Sequence, residues 1–201
     1  MSPEVYQAFE SIFSFYQIKG PVLEVGAYSG PESLLSLKGF ENASHKIGIN
    51  MDEQISLTDR SIVLGNSNDM HMFETGYFAA VVCNSTLEHD PYFWRTISEI
   101  YRVTASGGII AIGVPGYAEM GVNTFAGGKS SIKRLLRYLL KFTGSPILSA
   151  GSVTLGIHNF PGDYYRFSEQ AVERVFLQGL THCKVHRVMH PPRFMGVGIK
   201  P

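Results

Sequence analysis

The chain has 201 residues, enough for one well-buried domain and short of two full ones. With 44% hydrophobic and 17% charged residues it has the balance of a globular protein, not a disordered one. Lys plus Arg number 17, as do Asp plus Glu, and this net charge of zero argues against a partner of long nucleic acid held through its phosphates.

The N-terminal MSPEVYQAFE lacks a basic stretch followed by an apolar one, so no signal peptide is expected. From Pro3 to Ile18, Val5, Phe9, Ile12, Phe13 and Tyr16 recur at helical spacing, with Ser2 and Pro3 as start signals and Gly20-Pro21 as a stop. Residues 22–26 form a continuous apolar strand that ends in a glycine turn. Pro31-Glu32 then opens a short second helix, because proline suits the first helical position and an acid suits the dipole there. Strands follow at 46–49 and 61–64, and FAAVVCN (78–84) reads as a buried strand. Asp90-Pro91 caps a helix to about Val103, Gly107-Gly108 end it, and IIAIGVP (109–115) is another buried strand.

Strands alternating with helices imply a parallel sheet covered on both faces. Residues 116–162 are glycine-rich and irregular except for one helix, which suits a lid or substrate insert in a single domain spanning 1–201. Ser168 caps a last helix to about Leu180, and 183–189 with 194–200 form a closing antiparallel hairpin. Cys83 and Cys183 lie far apart and form no CxxC pair. Free thiols in a reducing cytoplasm are the expected state, with no metal site. No apolar run approaches the roughly 18 residues needed to span a bilayer.

In an open α/β sheet, ligands bind beyond the carboxyl ends of the strands where strand order reverses. That rule singles out 26–30, Asn50-Met51, 65–69, 84–89 and Pro115-Gly116. A turn after the first strand needs glycines where backbone and ligand approach closely. A carboxylate ending that strand can bind an ammonium or a ribose hydroxyl, and a polar residue ending the second can bind a ribose diol.

VLEVGAYSG (22–30), IGINMDE (47–53) and STLEHDPYFWRTISEIYRVTASGGIIAIGVPG (85–116) resemble the class I S-adenosylmethionine-dependent methyltransferases. HNFPGDYYRFSEQAVERVF (158–176) is similar to a later segment of small-molecule and sugar-type bacterial members. The resemblance implies an α/β, Rossmann-like, doubly wound and mostly parallel seven-stranded sheet with a terminal antiparallel hairpin and a helical lid insert. It implies S-adenosylmethionine as cofactor and methyl transfer to an oxygen or nitrogen of a small-molecule acceptor, a sugar-like one among the options. Glu24, Gly26, Ala27, Tyr28 and Gly30 then face the methionine part and ribose, and Asn50 the ribose hydroxyls. Met51 packs on the adenine, Asn66 and Ser67 take its edge, and Asn84 lies near the reacting sulfur.

Four positions depart from the family's pattern. Tyr28 replaces a common glycine, Asn50 a usual acid, and Ala79 a frequent Asp at the start of the fourth strand, while 52–60 is too short for a full helix. These departures motivate an alternative, a weakened or inactive methyltransferase-like module that binds a ligand or partner. A nicotinamide oxidoreductase is disfavoured, since Gly26-x-x-x-Gly30 lacks the G-x-G-x-x-G spacing for a pyrophosphate.

His89, His158 and Asp163 are the candidate bases for an oxygen nucleophile, with His89 also suited to a hydrogen-bonding role. Tyr164 and Arg166 are candidate substrate contacts, an Arg166–Asp163 pair anchoring the insert being the competing reading. SSIKRLLRYLLKF (130–142) carries leucines on one face and Lys133, Arg134, Arg137 and Lys141 on the other. It reads as a cap over the body, with contact to a membrane surface or an anionic partner as the lesser alternative.

Overall fold

The computed structural model describes residues 1–59, 61–120, 151–156 and 162–201. The helix expected at 130–142 and the candidate base His158 lie outside the described residues. Seven strands form one sheet: β1 (Val22–Val25), β2 (Lys46–Asn50), β3 (Ile62–Leu64), β4 (Phe78–Asn84), β5 (Thr104–Pro115), β8 (Thr181–Val188) and β9 (Arg193–Ile199). Their order is β3-β2-β1-β4-β5-β9-β8. The first five are parallel, and β9 enters antiparallel beside β5 with Ala111 opposite Val197. This is the Rossmann-like, mostly parallel seven-stranded sheet with a terminal hairpin that the sequence predicts.

Helices cover both faces. One core packs α1 (Pro3–Phe13) and the chain after β1 against Val22, Ala80, Val82 and Met195. The other holds Leu23, Val25, Val81, Cys83 and Ile112 beneath α3 (Phe93–Val103) and α4 (Glu169–Ala171), which runs on into a π-turn at Val172–Phe176. The short link between β2 and β3 holds only α2 (Glu53–Thr58), capped by Asp52.

Several boundaries differ from expectation, each for a local reason. Helix α1 ends at Phe13, because the Ser11 and Ser14 hydroxyls donate to the Gln7 and Ser11 carbonyls and compete with helix continuation. The helix expected after Pro31 is two 3₁₀ turns instead, Leu34–Ser36 and Lys38–Phe40. Leu37 between them is extended (φ −57°, ψ 138°), which lets Leu34, Leu35, Leu37 and Phe40 all reach the core that a single helical face would not serve. Strand β5 starts earlier, at Thr104 opposite Phe78, and passes an irregularity before the regular ladder. Helix α4 with its π-turn stops at Phe176, short of Leu180. Within the span read as irregular, β6 (Tyr117–Met120) and β7 (Gly151–Thr154) form a separate antiparallel ribbon.

Phe13 anchors α1. It is fully buried, stacks edge-on to Phe40 at 4.6 Å, and its carbonyl approaches Gly39 so closely that a Cβ there would lie 2.6 Å away. Phe13→Ala is expected to cost about 3–5 kcal/mol in urea unfolding, and Gly39→Ala to destabilise through the same contact.

Candidate functional site

The strand order reverses between β1 and β4, and there a cleft of about 1040 Å³ opens beyond their carboxyl ends. Glu24, Gly26, Tyr28, Gly30, Asn50, Met51, Asn66, Ser67, Asn84 and His89 all line it, so ten residues singled out from sequence meet in one place. Ala27 does not; it is fully buried, and its Cβ fills the space left by Gly48, where a second Cβ would sit 2.4 Å away.

The glycine turn is held by packing from within the protein. Gly26 has φ +73°, and a Cβ on it would lie 2.0 Å from the Thr86 Oγ1. Thr86, just past β4, lies across it and bonds the Val25 carbonyl at 3.3 Å. Gly30 has φ +149°, and its missing Cβ would stand 3.9 Å from the Tyr28 ring. Tyr28 is 68% exposed and sits on the rim with its ring beside Gly30.

Glu24 ends its carboxylate in the loop that follows. The Ser33 hydroxyl donates at 2.6 Å, and the Leu34 and Leu35 amides at 3.2 and 3.3 Å. Burial raises its pKa even so. Asn50 is similarly engaged: its Nδ2 donates to the Ala27 carbonyl at 2.7 Å, and its Oδ1 accepts from the Asp52 amide at 2.9 Å. Each still has capacity to spare, a further carboxylate lone pair on Glu24 and a second amide hydrogen on Asn50. On the far wall, Asn68 Nδ2 donates to Asp90 at 2.6 Å and Thr96 at 2.7 Å, while the Thr96 hydroxyl reaches Ser67 at 2.9 Å and Asp90 at 2.7 Å. This network fixes the loop carrying Asn66 and Ser67 against α3. Met70 is fully buried beneath it.

Beside Asn84 lies a group that sequence reasoning passed over. Glu88 is fully buried, and neither carboxylate oxygen has a hydrogen-bond partner among the described residues. Its nearest cation among the described residues is Arg193 at 3.8 Å, brought in at the start of β9 opposite Pro115. Burial outweighs that charge and pushes the Glu88 pKa up to about 7, while burial lowers that of Arg193. The guanidinium also donates to Ser85 Oγ at 2.6 Å. No local signal marked this pair, since Glu88 and Arg193 meet only once β9 has inserted beside β5.

Outside the cleft wall, Asp163 and Arg166 form a two-pronged ion pair, Arg166 reaching both carboxylate oxygens. Tyr164 is exposed, and the Tyr164 and Tyr165 amides donate to the Glu88 carbonyl, which docks this segment on the turn after β4. Among the described residues, no cluster of three or more metal-binding side chains exists. Nor is any described helix long and apolar enough to cross a membrane. Cys83 is buried and Cys183 exposed, both as free thiols.

The fold is similar to the Rossmann-like fold of the methyltransferase structures below, and residues 23–112 match the family model described as a methyltransferase domain. Among solved structures, phosphoethanolamine N-methyltransferase 2 of Haemonchus contortus, bound to phosphomonomethylethanolamine and S-adenosylhomocysteine, aligns with a TM-score of 0.63 at 12% identity. The alignment covers 100% of this chain and 53% of that one, so this chain spans about half the nematode protein's length. A possible histamine N-methyltransferase from Thermotoga maritima aligns with a TM-score of 0.60 at 16% identity, covering 98% and 89%. A putative methyltransferase of Haloferax volcanii, in complex with the Trm112 activator, gives 0.62 at 12%, covering 98% and 90%. No curated protein matches by sequence.

Two consequences are measurable. Gly26→Ala should destabilise by about 2–4 kcal/mol, from strained φ plus the Thr86 clash, and Thr86→Ala in the same chain should recover the clash component. A double-mutant cycle by urea unfolding reads this directly. Glu88 binds its proton more tightly folded than unfolded, so its contribution to stability is present at low pH and lost as pH rises from about 4.5 through about 7. The stability of the protein with Glu88→Gln should lack that decline, a difference of up to about 3 kcal/mol between the ends of the window.

Proposed function

We propose that the chain is an S-adenosylmethionine-dependent methyltransferase acting on an oxygen or nitrogen of a small molecule. One observation carries the reading: within the matched methyltransferase domain, the sheet's switch point opens a cleft that gathers the glycine turn, Asn50, the 66–67 loop and Asn84. The matched domain and the neighbours crystallised with S-adenosylmethionine or S-adenosylhomocysteine support that molecule as cofactor.

The lining fits an adenosine joined to an amino acid. Apolar Ile49, Met51 and Ile55 stand beside the polar Asn50, Asn66 and Ser67, which suits a base flanked by hydroxyls. Asn50 and Glu24 have hydrogen-bonding capacity left for a ribose or an ammonium. The turn at 26–30 and Asn84 would hold the amino-acid end. When bound, the cofactor supplies an electrophilic methyl on sulfur. The chain's own work is to align the acceptor in line with that methyl and to exclude water.

His89, half-buried in the cleft wall, is the base best placed for a hydroxyl acceptor; an amine in its neutral form needs none. Asp163 is less suited to that role because Arg166 occupies both its oxygens. Arg166 and Tyr164 remain candidate acceptor contacts at the end of the 116–162 insert. We read that insert as a lid rooted on the β6–β7 ribbon, where Thr154 Oγ1 donates to the Gly116 carbonyl at 2.6 Å. One neighbour is crystallised with phosphomonomethylethanolamine and another is described as a possible histamine N-methyltransferase, which favours a small amine as acceptor. A sugar-like acceptor rests on the resemblance of 158–176 alone. The inactive-module reading loses ground because Tyr28 lies on the rim and leaves the cleft open.

Calorimetry with S-adenosylhomocysteine tests the proposal. Binding in the micromolar range is expected, weakened roughly tenfold by Asn50→Ala, the loss of about one hydrogen bond to a ribose hydroxyl. No binding at millimolar cofactor would overturn it.

A further inference from the structure

Ser85, in the lining of the cleft, is hydrogen-bonded to Arg193 behind it. Ser85 lies at the floor of the cleft, one residue past β4, with φ +54°, a left-handed conformation that a serine adopts at a cost. Its amide stays in the sheet, donating to the Gly113 carbonyl at 3.0 Å. The strained backbone therefore sets the side chain's direction. Ser85 Oγ accepts from Arg193 at 2.6 Å and from Asn84 Nδ2 at 3.2 Å.

A hydroxyl oxygen has two lone pairs and one hydrogen. With both lone pairs facing N–H donors, Ser85 is left to act only as a donor, and no acceptor among the described residues takes its hydrogen. A guanidinium bonded to the oxygen polarises that O–H further. Behind it, Arg193 is largely buried, its Nε has no hydrogen-bond partner among the described residues, and its counter-ion Glu88 lies at the long distance of 3.8 Å. The result is a built donor site in the cleft floor with positive charge beneath it.

We propose that Ser85, backed by Arg193, is an anion-recognising subsite on the β4 side of the cleft, taking a carboxylate or phosphate-type oxygen of the methyl acceptor. The assignment to an acceptor rests on the methyltransferase reading; the anion site itself does not. Such a donor would quench a nucleophile if it bonded the reacting atom, so it serves a neighbouring anionic group and thereby orients the acceptor. Glu88 tunes the site: ionised, it opposes a second anion beside Arg193, and protonated, it does not. The charged and titratable groups around it are Arg193 from β9, Arg166 and Asp163 from the segment before α4, and His89 on its own turn.

The test uses sulfate and acetate as probes, titrated into the full chain and followed by nuclear magnetic resonance. The signals read are Arg193 Nε–H, assigned by its loss in Arg193→Lys, and the Thr86 amide. Saturable shifts in the millimolar range are expected for at least one probe, weakened roughly tenfold by Ser85→Ala. Tighter acetate binding would assign a carboxylate, and tighter sulfate binding a phosphate-type group. Affinity should be higher at pH 6 than at pH 8, and Glu88→Gln should remove that difference. The Thr86 amide keeps the test readable if Arg193→Lys does not fold. Absence of a saturable shift, or equal affinity in Ser85→Ala, would overturn the proposal. Repeating the titration with S-adenosylhomocysteine present separates the two readings: failure of that molecule to bind sinks the methyltransferase, while the anion titration stands or falls by itself.

Discussion

Thr86 lies across Gly26, and the candidate site is organised around that contact. A Cβ at position 26 would meet Thr86 Oγ1 at 2.0 Å, so the turn after β4 can close on the turn after β1 only if residue 26 has no side chain. Closing them brings Glu24 and Gly26 beside Asn84, Ser85 and His89, the two halves of the cleft wall. The glycine usually credited with letting a ligand approach is needed first for packing between two strands.

Around this contact the protein spends its polar groups on positioning loops. Glu24 gathers the Ser33, Leu34 and Leu35 donors, and so substitutes for the helix that the chain after β1 does not form. Asn50 ties the glycine turn to the start of α2, and the Asn68–Asp90–Thr96 network ties the third loop to α3. A preorganised cleft follows, in which binding does not have to order its own walls. The cost is concentrated at Glu88 and Arg193, whose mutual attraction at 3.8 Å does not offset burial. Uncompensated charge of that kind collects at functional sites more often than in structural cores.

Sequence carried the sheet well because its strands are apolar, β-branched runs between turn residues; FAAVVCN coincides with β4 from end to end. Nine of the ten cleft residues lie in the stretches picked out by the rule that ligands sit at the carboxyl ends of strands, and Glu24 joined them as the carboxylate of the first strand. What sequence could not carry was long-range. Pro31-Glu32 suggests a helix until the burial of Leu34, Leu35, Leu37 and Phe40 beside Phe13 demands two 3₁₀ turns. Ala27 reads as part of a binding turn until its packing on Gly48 is seen. Arg193 lies 108 residues from Ser85 in sequence, and only the insertion of β9 makes them neighbours.

Tyr28, in place of a common glycine, is the feature that most directly questions whether the cleft holds its cofactor, and its ring lies on the rim beside Gly30. A crystal structure of the protein with S-adenosylhomocysteine is the decisive measurement. The account predicts the ligand along the carboxyl ends of β1, β2 and β4, with its ribose within hydrogen-bonding reach of Asn50 and the Tyr28 ring outside it. A Tyr28 ring occupying the methionine or ribose position, with the ligand absent or bound elsewhere, would contradict it.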